Sequence, residues 1–249
     1  MTRPFVLAAL ILIATHALLP AHAADAPGIR SQTVQFAKGA TSAQLRGSIK
    51  GNASVDYKID ARAGQTLSVT MKPSNTSNYF NINPPGSDGD AMFIGSSRGA
   101  EATVMLPTDG TYVVRVYLMR NAARRNETSN YTLTVGVTGK ALPPLAASKD
   151  ALIPGTKFHA SAQVACTPPF DPKPQQCEAF VIRRGFDGTA TVQIRGPNSM
   201  LRRILFVGGA PVASDSPEAM AHSRDGDRTT VKFGADERYD LPDALIRGG

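Results

Sequence analysis

The chain reads as all-β: an N-terminal antiparallel β-sandwich followed by a smaller, mostly β C-terminal domain carrying one disulfide. Three observations predict this. Short segments of alternating apolar and polar residues recur between turn signals over residues 33–137. No stretch there has convincing helical periodicity, and repeated short strands at this spacing argue for a sandwich. After a Pro- and Gly-rich break, strand-like segments resume and enclose the pair Cys166 and Cys177.

The amino terminus comes first. Arg3 precedes an apolar run over residues 5–19, and Ala21-His22-Ala23 supplies a small-x-small cleavage pattern. The run falls short of the ~18 apolar residues of a membrane helix, and no later segment reaches that length. Residues 1–23 are therefore expected to be a signal peptide cut after Ala23, and the mature chain periplasmic or secreted, with no membrane span. Removing Arg3 from the 27 basic residues leaves 26 against 20 acidic ones. The basic residues are scattered among acids and no basic stripe interleaves with aromatics, so the charge describes a solvated surface and not a nucleic-acid site.

Within the first domain, expected over 24–138, Val55, Tyr57, Ile59 and Ala61 share one strand face. Ala63-Gly64-Gln65 turns the chain, and Leu67, Val69 and Met71 line the next strand. After Pro107-Thr108-Asp109-Gly110, Tyr112, Val114, Val116 and Leu118 point inward, with Val113, Arg115, Tyr117 and Met119 outward. Tyr131, Leu133, Val135 and Val137 close the unit. Residues 139–154 hold Gly139, Pro143, Pro144 and Pro154 and read as a linker or strap. Over 155–249, a small β domain with no role assigned by sequence, strands are expected at 157–164, 179–184, 189–194, 203–207 and finally 229–233. A short helical turn is expected after Pro242. In an exported chain Cys166 and Cys177 read as a disulfide. Closing its short loop is worth roughly 2–3 kcal/mol in the chain-entropy model.

Catalytic signals are sparse. The mature chain keeps only His159 and His222, neither beside a nucleophile motif. The late acids Asp225, Asp227, Asp236, Glu237, Asp240 and Asp243 read as polar turn residues, without a calcium-loop pattern. No phosphate-cradling loop appears. No enzyme, cofactor or metal is expected, and the chain reads as a binding protein. Two segments suit binding. The stretch 74–99 carries Asn75, Asn78, Tyr79, Asn81, Asn83 and Pro84-Pro85-Gly86 and is longer than a strand connection requires; the alternative is a strand over 78–82 followed by a turn. The run 120–126 places Arg120, Arg124 and Arg125 in what reads as a hairpin connection, where guanidinium groups suit carboxylates. Arg183-Arg184 and Arg202-Arg203 sit on strands, where neighbours point opposite ways, so no joint site is expected of them.

The opening Val34-Gln35-Phe36-Ala37-Lys38-Gly39, the stretch 42–51, Tyr57, Ala61 and Ala63-Gly64-Gln65 resemble the bacterial periplasmic inhibitors of goose-type (g-type) lysozyme. The block 110–126, above all Arg120-Asn121-Ala122-Ala123-Arg124, strengthens the resemblance, which covers residues 33–137. It implies a β-sandwich that inserts loops into the lysozyme active-site cleft. Under it the lysozyme-binding residues are Arg115, Tyr117, Arg120, Asn121, Arg124, Asn126, Asn78 and Tyr79, with goose-type lysozyme as protein partner. The alternative is a module that binds peptidoglycan, another envelope glycan or a partner protein without inhibiting lysozyme.

Overall fold

The computed structural model describes residues 28–87, 89–197 and 199–248. The expected leader at 1–23 and its cut after Ala23 lie outside the described residues. The first unit contains β1 (Ile29–Thr33), β2 (Ser42–Lys50), β3 (Ser54–Ala61), β4 (Thr66–Pro73), β5 (Asn78–Asn83), β6 (Phe93–Ile94), the single turn α1 (Gly95–Arg98), β7 (Glu101–Met105), β8 (Gly110–Leu118), the single turn α2 (Arg120–Arg124) and β9 (Thr128–Thr138). They form two sheets, ordered β1-β3-β8-β5-β6 and β2-β9-β4-β7. The ladders are antiparallel except for β1 against β3, which is parallel.

Alternation decides which faces meet. Val55, Tyr57 and Ile59 from β3, Val114 and Val116 from β8, Leu67 and Val69 from β4, and Leu133 and Val135 from β9 fill one core. Tyr57 and Tyr131 close it across the sheets, with hydroxyl oxygens 2.9 Å apart and rings edge to face. Gly47 faces Tyr131 because a Cβ there would fall 2.4 Å from the Tyr131 hydroxyl. Burial drives the pKa of Tyr131 upward, which keeps its hydroxyl neutral.

The second unit is a single eight-stranded sheet. Its strands are β10 (Ala160–Thr167), β11 (Gln175–Arg183), β12 (Ala190–Arg195), β13 (Leu201–Val207), β14 (Ala210–Ser214), β15 (Met220–Asp225), β16 (Arg228–Phe233) and β17 (Glu237–Pro242), followed by α3 (Asp243–Arg247). The order is β14-β13-β12-β11-β10-β17-β16-β15. One apolar cluster draws on β10 to β13, β16, β17 and α3, so the sheet curls around a single core. Cys166 and Cys177 are bonded, joining β10 to β11. The sequence places β10 to β13 and the helical turn after Pro242. It misses β14, β15 and β17, so the strand at 229–233 is not the last.

Residues 139–154 run as an ordered strap. Leu142 N–H donates to Ala63 O at 2.9 Å, and Leu145 N–H to Arg183 O at 2.8 Å. Leu142 also packs on the backbone of Gly64, where a Cβ would lie 2.6 Å from its Cγ. His159 serves this strap: Nδ1 accepts from Arg183 N–H, and Nε2 lies 3.1 Å from Leu145 O. No helix among the described residues is long and apolar enough to cross a membrane.

Candidate functional site

The residues singled out by the sequence converge on one end and one face of the sandwich. The register of β5 against β8 sets Tyr79 opposite Tyr117 and Asn81 opposite Arg115. All four lie on the outward face, since the alternate positions fill the core. Arg115 donates Nε and Nη2 to the two carboxylate oxygens of Asp56, each at 2.7 Å. That bond raises the Arg115 pKa against the opposing effect of burial. Tyr117 donates its hydroxyl to Asn81 Oδ1 at 3.2 Å. Arg115 and Tyr117 thus hold a fixed polar shelf on the sheet.

Beyond Leu118 the chain turns into α2. Ala122 and Ala123 are buried and pin the turn to the core, while Arg120, Asn121 and Arg124 face solvent. Asn121 Oδ1 accepts from Ala122 N–H at 2.8 Å, so Asn121 shapes the turn. Asn126 takes φ +56°, a left-handed conformation that Asn tolerates, and turns the chain into β9. Arg120 and Arg124 make no ion pair or side-chain hydrogen bond within the described residues, and Met119 beside them is 38% exposed. Two unpaired guanidinium groups and a thioether therefore sit on a short, well-anchored turn.

Glu127 fixes that turn to its neighbours. Its carboxylate accepts from Asn75 Nδ2 at 2.8 Å and Arg125 Nε at 2.7 Å, and its carbonyl accepts from Gly51 N–H at 2.9 Å. Asn75 Oδ1 in turn accepts from Ser77 N–H. These bonds draw the β2–β3 turn, the loop before β5 and α2 into one rigid end. The hydrogen bond from Asn75, then that from Arg125, holds the Glu127 pKa below its ordinary value.

Three expectations are corrected. Asn78 is only 2% exposed and donates Nδ2 to Ser129 Oγ at 2.9 Å, so its side chain supports the loop from inside and presents nothing to a partner. The run 120–126 is no hairpin connection, because β8 and β9 belong to different sheets and α2 crosses between them. The stretch 74–99 does not act as one loop; the alternative reading holds, with β5 occupying Asn78–Asn83. Its start joins the α2 end, whereas Pro84 and Pro85 lie at the other end of β5, facing the second unit.

That opposite end holds what sequence reasoning missed. The four arginines in doublets are all buried. Arg184 bonds Asp109 Oδ2 through Nη1 and Nη2, each at 3.1 Å, and donates Nε to Thr191 Oγ1 and Nη1 to Leu142 O. Arg202 pairs with Glu237 and Asp215, and Arg203 with Asp215 and with Pro85 O across the units. Thr191 Oγ1 donates to Pro107 O, and Leu205, Ala213, Ala63 and Leu142 pack together beside it. Burial lowers the Arg184 pKa and Asp109 opposes it. For Arg202 burial acts the same way, but the bonds it donates to Glu237 and the charge of Asp215 prevail and raise it. Glu237, expected in a polar turn, is a buried partner. Short-range pattern carries no signal for this network, since its pairs are far apart in sequence.

The comparisons with known proteins point to the sandwich. No family model matches the chain. A protein of Escherichia coli K12 described as an inhibitor of g-type lysozyme is 31% identical over 110 residues, covering 43% of this chain and 81% of that protein. Among solved structures, a periplasmic inhibitor of g-type lysozyme from Aeromonas hydrophila is 36% identical, covering 44% of this chain and 97% of its own, with a TM-score of 0.41. The Salmonella Typhimurium counterpart is 30% identical over 44% of this chain and 98% of its own, with a TM-score of 0.36. The similarity accounts for less than half of this chain, and through that part the protein belongs to the family of g-type lysozyme inhibitors.

Proposed function

We propose that the protein is an exported, periplasmic inhibitor of g-type lysozyme, that residues 24–138 form the inhibitory domain, and that α2 and its surroundings enter the lysozyme cleft. The observation that carries the reading is the pair of unpaired guanidinium groups, Arg120 and Arg124, on a turn anchored by Ala122 and Ala123. A lysozyme cleft works through carboxyl groups, and arginine binds carboxylates by two parallel hydrogen bonds. Rigid presentation limits the ordering cost of association. Tyr79, Tyr117 and the Arg115–Asp56 pair supply the flanking shelf, and Asn121 and Asn126 shape the turn. The chain acts by occupying a site, not by catalysis.

The second unit docks at the far end of β5 and β8 and leaves the α2 end uncovered, so inhibition does not require it to move. The test is an assay of goose-type and chicken-type lysozyme on peptidoglycan with the purified mature chain. Selective loss of goose-type activity is expected, and Arg120→Ala with Arg124→Ala should weaken it at least about a hundredfold, as loss of two interfacial charged anchors does. Undiminished inhibition by that double variant sinks the assignment of α2. Peptidoglycan binding by the wild-type chain with no effect on either enzyme would favour a glycan-binding module.

A further inference from the structure

We infer that the cleft between the two units is a second binding site, one that takes a basic peptide segment with an apolar residue beside its charge. The cleft encloses about 630 Å³, within the ~300–1,000 Å³ range of ligand pockets. One wall comes from the sandwich, through Asn81, Pro84, Asp90 and Ile94, and the other from the second unit. Two polar ties hold the walls apart at a set spacing: Arg203 donates to Pro85 O, and Arg98 to Pro217 O. The space is therefore preformed.

Its chemistry selects the occupant. Arg202 and Arg203 line the floor, but Glu237 and Asp215 neutralise them within the buried network. Asp90, Glu218 and Asp236 also line the cleft, are exposed, and enter no ion pair among the described residues. The lining carries five carboxylates against two guanidiniums, with Arg98 at the edge, on a chain of net charge +7. A negative recess on a positive molecule concentrates cations. The apolar share comes from Pro84, Ile94, Met200 and above all Phe170, which is 92% exposed. Phe170 stands at φ +66° between Pro169 and Asp171, in the loop closed by the Cys166–Cys177 bond. Its loop, stiffened by Pro168, Pro169, Pro172 and Pro174, loses little freedom when the ring meets a ligand. An exposed ring beside unpaired carboxylates suits an amine or guanidinium attached to an apolar body. A neutral or acidic chain would leave those carboxylates unpaired.

The experiment is an NMR titration of the full mature chain with the peptide amide acetyl-Lys-Leu-Lys, set against acetyl-Glu-Leu-Glu. Saturable shifts confined to Asp90, Ile94, Phe170, Leu201 and Glu218 are expected for the basic peptide alone, weakening as salt is raised. The surface variant Glu218→Gln with Asp236→Asn should reduce affinity about tenfold, and Phe170→Ala by a similar factor. Inhibition of g-type lysozyme should be the same in both variants, because the cleft lies away from α2. Equal response to the two peptides, no saturation, or shifts centred on α2 would overturn the proposal.

Discussion

Glu127 shows how one carboxylate can organise the end of the sandwich that carries α2. Its pKa lies below the ordinary 4.5 because Asn75 and Arg125 donate to the charged form. A depressed folded-state pKa means that the contribution is complete above 4.5 and lost as pH falls through the lower folded value. Amide protection at Ser77 and in α2, measured against the intrinsic exchange rate at each pH, should therefore fall once the pH is below the ordinary carboxylate range, and Glu127→Gln should show the lower protection already at neutral pH. No change in either would mean that the clasp does not order the loops. At this scale the sequence was partly legible. Arg120, Asn121 and Arg124 are exposed as expected, because polar residues after an outward strand position have nowhere apolar to go. Asn78 was misread, since a buried Asn looks like a loop Asn until Ser129 is brought against it. Nor does anything local distinguish an arginine that will meet Asp215 or Asp109 across the fold from one that will meet water.

Strands were legible where alternation was clean. β3, β4, β8 and β9 each bury every second residue, and β10 to β13 were found with ends shifted by a few positions. β15 was missed because Met220–Asp225 buries none of its residues and shows no apolar stripe. β14 follows Gly208-Gly209 so closely that it passed for part of the turn, and β17 hid in a charged tail. The disulfide is the element-scale constraint on the second unit, joining β10 and β11 where a Pro-rich loop would otherwise let them drift apart. Replacing Cys166 and Cys177 together by Ala should lower stability by about 2–3 kcal/mol, since the loop closed is short. Chemical denaturation of the two forms would measure it. The packing inside the sandwich should be unchanged, because its core shares no residue with that of the second unit.

Across the whole molecule, the buried arginines tie two separate cores into one body. The Arg184 side chain is fully buried and reaches Asp109, Leu142 and Thr191 together. Arg184→Ala removes a buried charge and leaves its partners unsatisfied, a change that costs about 3–5 kcal/mol. In calorimetry the wild-type chain is expected to unfold in one transition and Arg184→Ala in two, and the inhibition of g-type lysozyme proposed above should persist at temperatures where the sandwich stays folded. Loss of inhibition with no change in the transitions would contradict the separation of the two ends. The sequence proposes two units, over 24–138 and 155–249, and a segment joining them. It did not reveal their junction, which rests on single residues from distant strands.

The pairing of β2 with β9 has a consequence in time. Ser42 meets Gly136 and Lys50 meets Thr128, so the second strand of the sandwich waits for its last. β11 to β14, by contrast, each pair with the strand just made. Contacts between distant segments form slowly, because the intervening chain must close first. Much of the second unit should therefore assemble early, with Arg184 and Leu205 still in water, and the sandwich should follow. The chain has no Trp, and of its six tyrosines only Tyr239 lies outside the sandwich. Tyrosine emission should accordingly lag behind the far-ultraviolet signal in stopped-flow refolding, and the lag should vanish when residues 24–138 are refolded alone.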